Sequence, residues 1–395
     1  MKLTKEAIEQ EYKKVMSKIG QAFRHISGYE NAGKYIKGLL GTAERKNGWQ
    51  MAESQGDETP YSIQQFIYRG RYSADELRDI SREYVVETLG DEDGVLVVDE
   101  TGFLKQGKQS CGVKRQYSGT AGRIENCQIG VFLSYASHKG HCPIDRRLYI
   151  PEDWINDPKR RNQARIPEAE IFKTKPQIAL EMIKDATTAG VPYTWVTGDC
   201  VYGDYRDIRF WLENNGKCYV MSVSGKEYVW QGHNQIKVGS ILKNLPDDGW
   251  ICASCGDGSK GARMYDWLVI DINTPSSYPN HKRSLLVRRS KSSPEVVRAY
   301  ICFAPSETSL QKIISVAGTR WTVETCFKEA KSQVGLDHYE VRSYDGWYRH
   351  ITFACIALAL ITTLSCNSLD TLTLQQHDPA GNSLDTFKKG RNLLG

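Results

Sequence analysis

The chain has 395 residues, and a bilayer span is not expected in it, a transmembrane helix being only a remote alternative. Its most apolar run, Ile351 to Cys366, falls short of the roughly 20 residues that a span needs. It reads as a buried core helix, and no membrane partner is expected. No secretory leader pattern opens the sequence. The 11 cysteines are odd in number and scattered, which points to a reducing compartment and away from a disulfide framework. Cys252 and Cys255 form the only C-x-x-C, with no second pair at finger spacing. His138, His141 and Cys142 lie close together without a clear fourth ligand, so structural zinc is not expected. Internal repeats are absent, and so is a large excess of one charge.

Net charge is +5, modest for a nucleic-acid binder, but unevenly spread. Thr101 to Lys175 holds 14 Lys+Arg against 7 Asp+Glu, and His281 to Lys331 holds 10 against 4. Basic surface around the middle of the chain is therefore expected, although solvated helix faces give the same count. At 40% hydrophobic residues the chain can bury a large core.

Residues 1–90 carry helical patterning, with helices expected at Lys5–Ile26, Ala32–Leu40, Asn47–Ser54, Tyr61–Tyr68 and Ala74–Leu89. Thr59 is placed as N-cap and Pro60 as first helical residue of the fourth. The pair around Gly56–Pro60 suits a DNA-reading helix-turn-helix and equally suits plain helical packing. This region is expected to bind DNA and to be removable from a folded core. From Gly94 the texture turns to strands: Val95–Asp99, Gln109–Tyr117 and Gln128–Tyr135, read as an antiparallel meander attached to a parallel pair. A charged connection follows over Pro151–Pro167, then a helix over Lys173–Ala189. Residues 217–305 are rich in aromatic and β-branched residues and turns, and read as a mostly β insertion. The core thus divides into 91–216 and 306–366, and 367–395 reads as a polar tail.

Two strands deliver acids at their carboxyl ends. Val95-Leu96-Val97-Val98 leads to Asp99, and Tyr193-Thr194-Trp195-Val196-Thr197-Gly198 leads to Asp199. In open α/β sheets, sites form beyond such ends. Two carboxylates side by side repel unless a cation lies between them, and magnesium, with manganese able to substitute, suits oxygen ligands. A third acid lies on a helix. At about 100° per residue, Glu324 lies about 40° and Lys331 about 20° from Arg320, so the three share a stripe. Val323, Phe327, Ala330 and Val334 form an apolar flank able to pack on a sheet. A carboxylate between two cations suits a metal ion that must meet a phosphodiester. Glu100 points to the opposite face of its strand and is a weaker metal candidate, as are Asp145 and Asp204.

Strand-Asp, strand-Asp, β insertion, helix-Glu is the order of a DDE transposase with an RNase H-like core. The chain resembles bacterial insertion-sequence transposases, most closely insertion sequence family 701. The strings that carry the resemblance are Glu44-Arg45-Lys46-Asn47-Gly48-Trp49-Gln50, Val98-Asp99-Glu100-Thr101-Gly102-Phe103, Arg115-Gln116-Tyr117-Ser118-Gly119-Thr120-Ala121-Gly122, Thr197-Gly198-Asp199 and Gly335-Leu336-Asp337-His338-Tyr339-Glu340. Arg320, Glu324 and Lys331 also fit the Tyr-x2-Arg-x3-Glu-x6-Lys signature of related transposases, with Ala317 in place of its tyrosine.

The resemblance implies an α/β fold: an RNase H-like mixed sheet flanked by helices, interrupted by the β insertion and preceded by the helical region. It implies Asp99, Asp199 and Glu324 as catalytic residues and ligands of Mg2+, or Mn2+ in its place. It further implies cleavage and transfer of DNA strands at element ends, a dimer on paired terminal inverted repeats, target DNA as second substrate, and a cytoplasmic, nucleoid-associated bacterial protein. Arg320 and Lys331 are expected on phosphates near the scissile bond, the alternative being that they pair with nearby acids on the helix surface. Lys114, Arg115 and Arg123 beside the Gly-rich turn are further DNA candidates, though a plain hairpin explains the glycines too. Trp230, Trp250 and Trp267 are able to stack on an extruded base, but each also suits core packing. Two other readings compete: a metal-dependent nuclease that cuts without joining, and a transposase-derived DNA-binding protein. Three intact acids argue against lost catalysis.

Overall fold

The computed structural model describes residues 4–258 and 261–376. Five helices open the chain: α1 (Lys5–Gly20), α2 (Ile26–Leu40), α3 (Gly48–Ser54), α4 (Tyr61–Arg69) and α5 (Ala74–Leu89). Local chemistry sets their starts. Side chains of Thr4, Asn47 and Ser73 accept the backbone N–H of Ala7, Gln50 and Glu76, satisfying donors that a first turn leaves orphaned. Pro60, expected at the first helical position of α4, instead occupies its N-cap.

The sheet begins with β1 (Val95–Leu104), β2 (Lys114–Ser118), β3 (Arg123–Ser137) and β4 (Gly140–Tyr149). Then come α6 (Glu152–Ile155), α7 (Pro158–Ala164), α8 (Lys175–Thr188), β5 (Trp195–Gly198), α9 (Cys200–Gly203), α10 (Arg206–Asn214) and β6 (Cys218–Val223). A small hairpin, β7 (Tyr228–Gln231) and β8 (Asn234–Lys237), leads through α11 (Val238–Lys243) to β9 (Ile251–Gly258), β10 (Gly261–Asp271), β11 (His281–Ser290) and β12 (Val297–Pro305). Two long helices follow, α12 (Leu310–Val334) and α13 (Tyr344–Gln376).

β1 lies between β3, which runs antiparallel, and β5, which runs parallel; β6 continues parallel to β5, and β4 pairs on the far side of β3. This is the RNase H-like arrangement, a mixed sheet flanked by helices. Val95 to Val98 are buried, as a strand covered on both faces requires.

Several sequence-based expectations need correction. β4 was not anticipated, and the charged 151–167 connection contains two short helices. The insertion is β-rich, and apart from the two-stranded β7–β8 hairpin it joins the core sheet: β12 pairs antiparallel with β6, and β11, β10 and β9 extend the same ten-stranded sheet. β6, placed by sequence at the start of the insertion, belongs by its pairing to the parallel core. Its buried Tyr219, Val220 and Met221 read as a strand in either setting, because composition does not encode the neighbour's direction.

The apolar run near the end lies in a longer helix than expected. Tyr344–Asn367 is long and apolar enough to cross a membrane, but 78% of its apolar window is buried inside the fold. α13 continues to Gln376, past the expected start of the tail, the rest of which lies outside the described residues. Around α13 pack α1, α2, α4 and α5. Tyr35 hydrogen-bonds His350 at 2.7 Å, and Phe353 lies 5.4 Å, ring to ring, from both Tyr35 and Phe66. Buried Arg146 on β4 donates to Asp75 and to Thr352, each at 2.8 Å, tying α5 and α13 to the sheet. The N-terminal helices and the sheet therefore share one hydrophobic core.

Candidate active site

Parallel register sets Val98 opposite Gly198, so Asp99 and Asp199 sit at neighbouring positions. Asp199 follows the end of β5, whereas Asp99, expected at a strand end, lies within β1, which continues to Leu104 because its pairing with β3 continues. Backbone amides fix both. Asp99 accepts the Glu100 N–H at 2.8 Å, and Asp199 caps α9 by accepting the Val201 N–H at 2.8 Å. α12 crosses over these strand ends. Val323, Phe327, Ala330 and Val334 are buried as its apolar flank, and Phe327 meets Phe132 of β3 edge-on at 5.2 Å. Gly318 permits the close approach to the insertion, since a Cβ there would lie 1.8 Å from the Cys255 carbonyl oxygen. Gly335, at φ 62°, ends the helix in the left-handed region.

Arg320 stands between two of the three acids, its guanidinium 3.6 Å from Asp99 and 3.2 Å from Glu324. It also favours the charged form of Asp199. Glu100, expected to point away on the opposite face, is close enough to raise the carboxyls of both Asp199 and Asp99, and Lys175 and Tyr202 donate to its carboxylate. The Thr174–Gln177 capping box sets Lys175 at the start of α8. Among the described residues, no three His, Cys, Asp or Glu side chains gather as a metal-binding group. Asp99 and Asp199 thus stand at adjacent strand positions, and Glu324 is linked to Asp99 through Arg320. Asp145 is engaged with Arg78, and Asp204 accepts the Ser224 N–H.

Burial, then the neighbouring Asp199, pushes the Asp99 carboxyl up to about 7 from its usual 3.8, against the pull of Arg320. Asp199 is raised too, by burial and then by Glu100. For an acid whose folded pKa exceeds its unfolded value, the folded state holds a proton that the unfolded state has released. Its contribution is most favourable below about pH 4 and is lost as pH rises through about 7. Metal-free protein should therefore lose on the order of a few kcal/mol of stability from this group between pH 4 and 8. Denaturant melts in a chelator should show this decline, and Asp99→Asn should flatten it. Equal slopes for the two proteins would show that the Asp99 carboxyl is not raised by its burial and its neighbour.

The stripe behaves differently along its length. Lys331 is half-buried and donates to the Gly102 carbonyl at 3.2 Å and to Thr120 at 3.1 Å, while Thr120 also lies 3.3 Å from Thr101. It thereby pins the tip of the β2–β3 hairpin to β1. Sequence reading missed Thr101 and Thr120, although both fall within the strings that carry the resemblance. Lys114 pairs with Asp153 and Arg123 with Glu125, and Arg115 is exposed with no ion pair among the described residues. Trp267 is core, Trp250 lies under Arg289 at 3.9 Å, and Trp230 is half-exposed on β7. His138 pairs with Asp91, and Cys142 is buried.

Residues 21–238 match the family model of the DDE superfamily endonuclease, and residues 164–360 match the transposase DDE domain. The chain is 22% identical over 336 residues to the probable transposase for insertion sequence element IS701 of Microchaete diplosiphon, covering 82% of this chain and 79% of that protein. A piggyBac transposase synaptic complex with hairpin DNA aligns with 93% of this chain and 74% of its own, at 13% identity and a TM-score of 0.48. The first model alone spans more than half of the sequence, and the chain belongs to the DDE superfamily of endonucleases and transposases.

Proposed function

We propose that the protein is the DNA transposase of an insertion sequence, binding the terminal inverted repeats of its element and catalysing strand cleavage followed by strand transfer. The observation that carries the reading is the pair of partly buried aspartates on adjacent strands β1 and β5, with Arg320 of α12 between Asp99 and Glu324. The donor set fits a divalent cation. Asp99 and Asp199 offer hard oxygens, their charges are under-compensated, and Arg320 supplies one positive charge among three carboxylates. Asp99, Asp199 and Glu324 would hold Mg2+, or Mn2+, with Glu324 released from Arg320. When bound, the metal activates the attacking oxygen and stabilises the leaving one.

The chain's own groups do the rest. Arg320, freed from Glu324, neutralises a phosphate beside the scissile bond. Lys331 holds the hairpin tip against β1, and Arg115, Lys114 and Arg123 on that hairpin offer charge to the flanking backbone. Asp99, Asp199 and Glu324 do not attack DNA themselves, so no covalent protein–DNA link forms. Function on paired ends as a dimer, in the bacterial cytoplasm at the nucleoid, follows from the same reading.

The test is a strand-transfer assay with a pre-nicked duplex carrying the inverted repeats that flank the coding region. Transposase predicts joining of the free 3′-hydroxyl to a target plasmid in magnesium. Cleavage of intact ends without joining would favour the nuclease reading, and binding without either would favour a DNA-binding derivative.

A further inference from the structure

A cavity of mixed lining lies away from the acids. It measures about 710 Å³ and opens where α4 and the Asn47 turn face residues 339–343. Gln109 and Gln163 line it and also line an adjoining cavity of about 480 Å³ beside α7, so the two form one groove. Its walls unite strings nearly 300 residues apart. The Lys46 N–H donates to His338 at 3.0 Å, and the Asn47 amide donates to Glu340 at 3.4 Å. Arg165, at the end of α7, covers the Tyr68 ring at 4.3 Å and bonds the Tyr68 carbonyl, locking the two walls together.

The lining has the chemistry of a nucleic-acid track. Lys108, Lys159 and Arg342 are exposed cations with no ion pair among the described residues, and Glu340 is the only acid on the groove wall. Lys46, which donates to the Gly41 carbonyl, and Arg160, stacked on Trp154 at 3.8 Å and paired with Asp153 at 3.5 Å, are further cations on the lining. From α4, Tyr68 lies one turn beyond Gln64 and Gln65, and all three line the groove. Their amides carry the donor–acceptor pairs that match base edges, while the cations suit phosphates. The groove starts beyond the carboxyl end of β1, where Leu104 is about 17 Å from Asp99 by strand rise. That distance is about five base pairs of duplex, at about 3.4 Å each.

We propose that this groove is a composite binding site for the double-stranded DNA of the element end, inward of the cut. Lys108, Lys159 and Arg342 hold the backbone, and Gln64 and Gln65 read base edges. The proposal rests on the transposase reading and assigns its end recognition to a surface shared by the N-terminal helices and the catalytic core.

Full-length protein in a chelator tests it with two probes. On a 30-base-pair duplex of arbitrary sequence, a Lys108→Ala, Lys159→Ala, Arg342→Ala variant should lower the slope of log affinity against log salt by about 0.9 for each phosphate no longer neutralised. In selection from a random duplex pool, Gln64→Ala with Gln65→Ala should lose base preference about five or more positions inside the end. Its salt slope should stay as in the wild type. These side chains are at the surface, so unchanged melting temperatures separate weakened DNA binding from failed folding. If the wild type binds and cleaves DNA, yet the triple variant keeps its salt slope and the double variant its selected sequence, the groove assignment fails and the transposase reading stands. A wild type that binds no duplex overturns both.

Discussion

Asparagine at Asp99 or Asp199 should lower strand cleavage by about a thousandfold or more, because removing one charged oxygen ligand costs several kcal/mol of transition-state stabilisation. The protein should stay folded. Asp99 is held at a raised pKa by burial and by Asp199, so a neutral amide there relieves repulsion in the metal-free state. Loss of cleavage with retained or improved stability would separate a chemical role from a structural one. The effect of Glu324→Gln should be similar in cleavage but smaller in stability, since its carboxylate is about half-exposed on α12. Gel assays on end duplexes and denaturant melts on the same preparations give both readouts.

Deleting residues 1–90 should destroy the fold, contrary to the sequence-based expectation of a removable DNA-binding region. The deletion strips α1, α2, α4 and α5 from α13 and exposes its apolar faces to water. It also removes Asp75 from Arg146, whose guanidinium is buried among β4, α5 and α13. Exposed apolar area on this scale drives aggregation, and a buried charge without its partner adds a further penalty. The truncated chain should show no cooperative thermal transition. A milder probe of the same interface is Phe353→Ala, expected to cost about 3–5 kcal/mol in full-length protein. A soluble, cooperatively melting fragment that lacks residues 1–90 would contradict this account of the core.

The contrast marks what the sequence carries and what it does not. The buried runs Val95 to Val98 and Trp195 to Gly198 were legible because a short apolar run before an acid is a local pattern, but the continuation of β1 to Leu104 was not, since it depends on pairing with β3. The stripe of Arg320, Glu324 and Lys331 was legible because helical spacing is fixed. Its chemistry was less so. Lys331 turns out to hold Gly102 and Thr120, a choice set by how close the hairpin tip comes to α12. Likewise, the Arg320 position between Asp99 and Glu324 depends on long-range packing of α12 over β1. The continuous sheet from β6 to β9 and the shared core around α13 are tertiary outcomes: both segments have the right composition, but neither encodes which neighbour covers it. The meeting of Lys46 with His338, and of Asn47 with Glu340, was invisible for the same reason.

The most direct test of the central claim, that Asp99 and Asp199 ligate the catalytic metal, is the metal dependence of cleavage in cysteine variants. Magnesium prefers hard oxygen ligands, whereas manganese accepts sulfur more readily. Asp99→Cys, and Asp199→Cys in a Cys200→Ser background to remove the neighbouring thiol, should be inactive in magnesium. Manganese should restore cleavage in at least one of them, while Asp99→Asn and Asp199→Asn stay nearly inactive with either ion. Full magnesium-dependent cleavage by either asparagine variant would contradict the assignment.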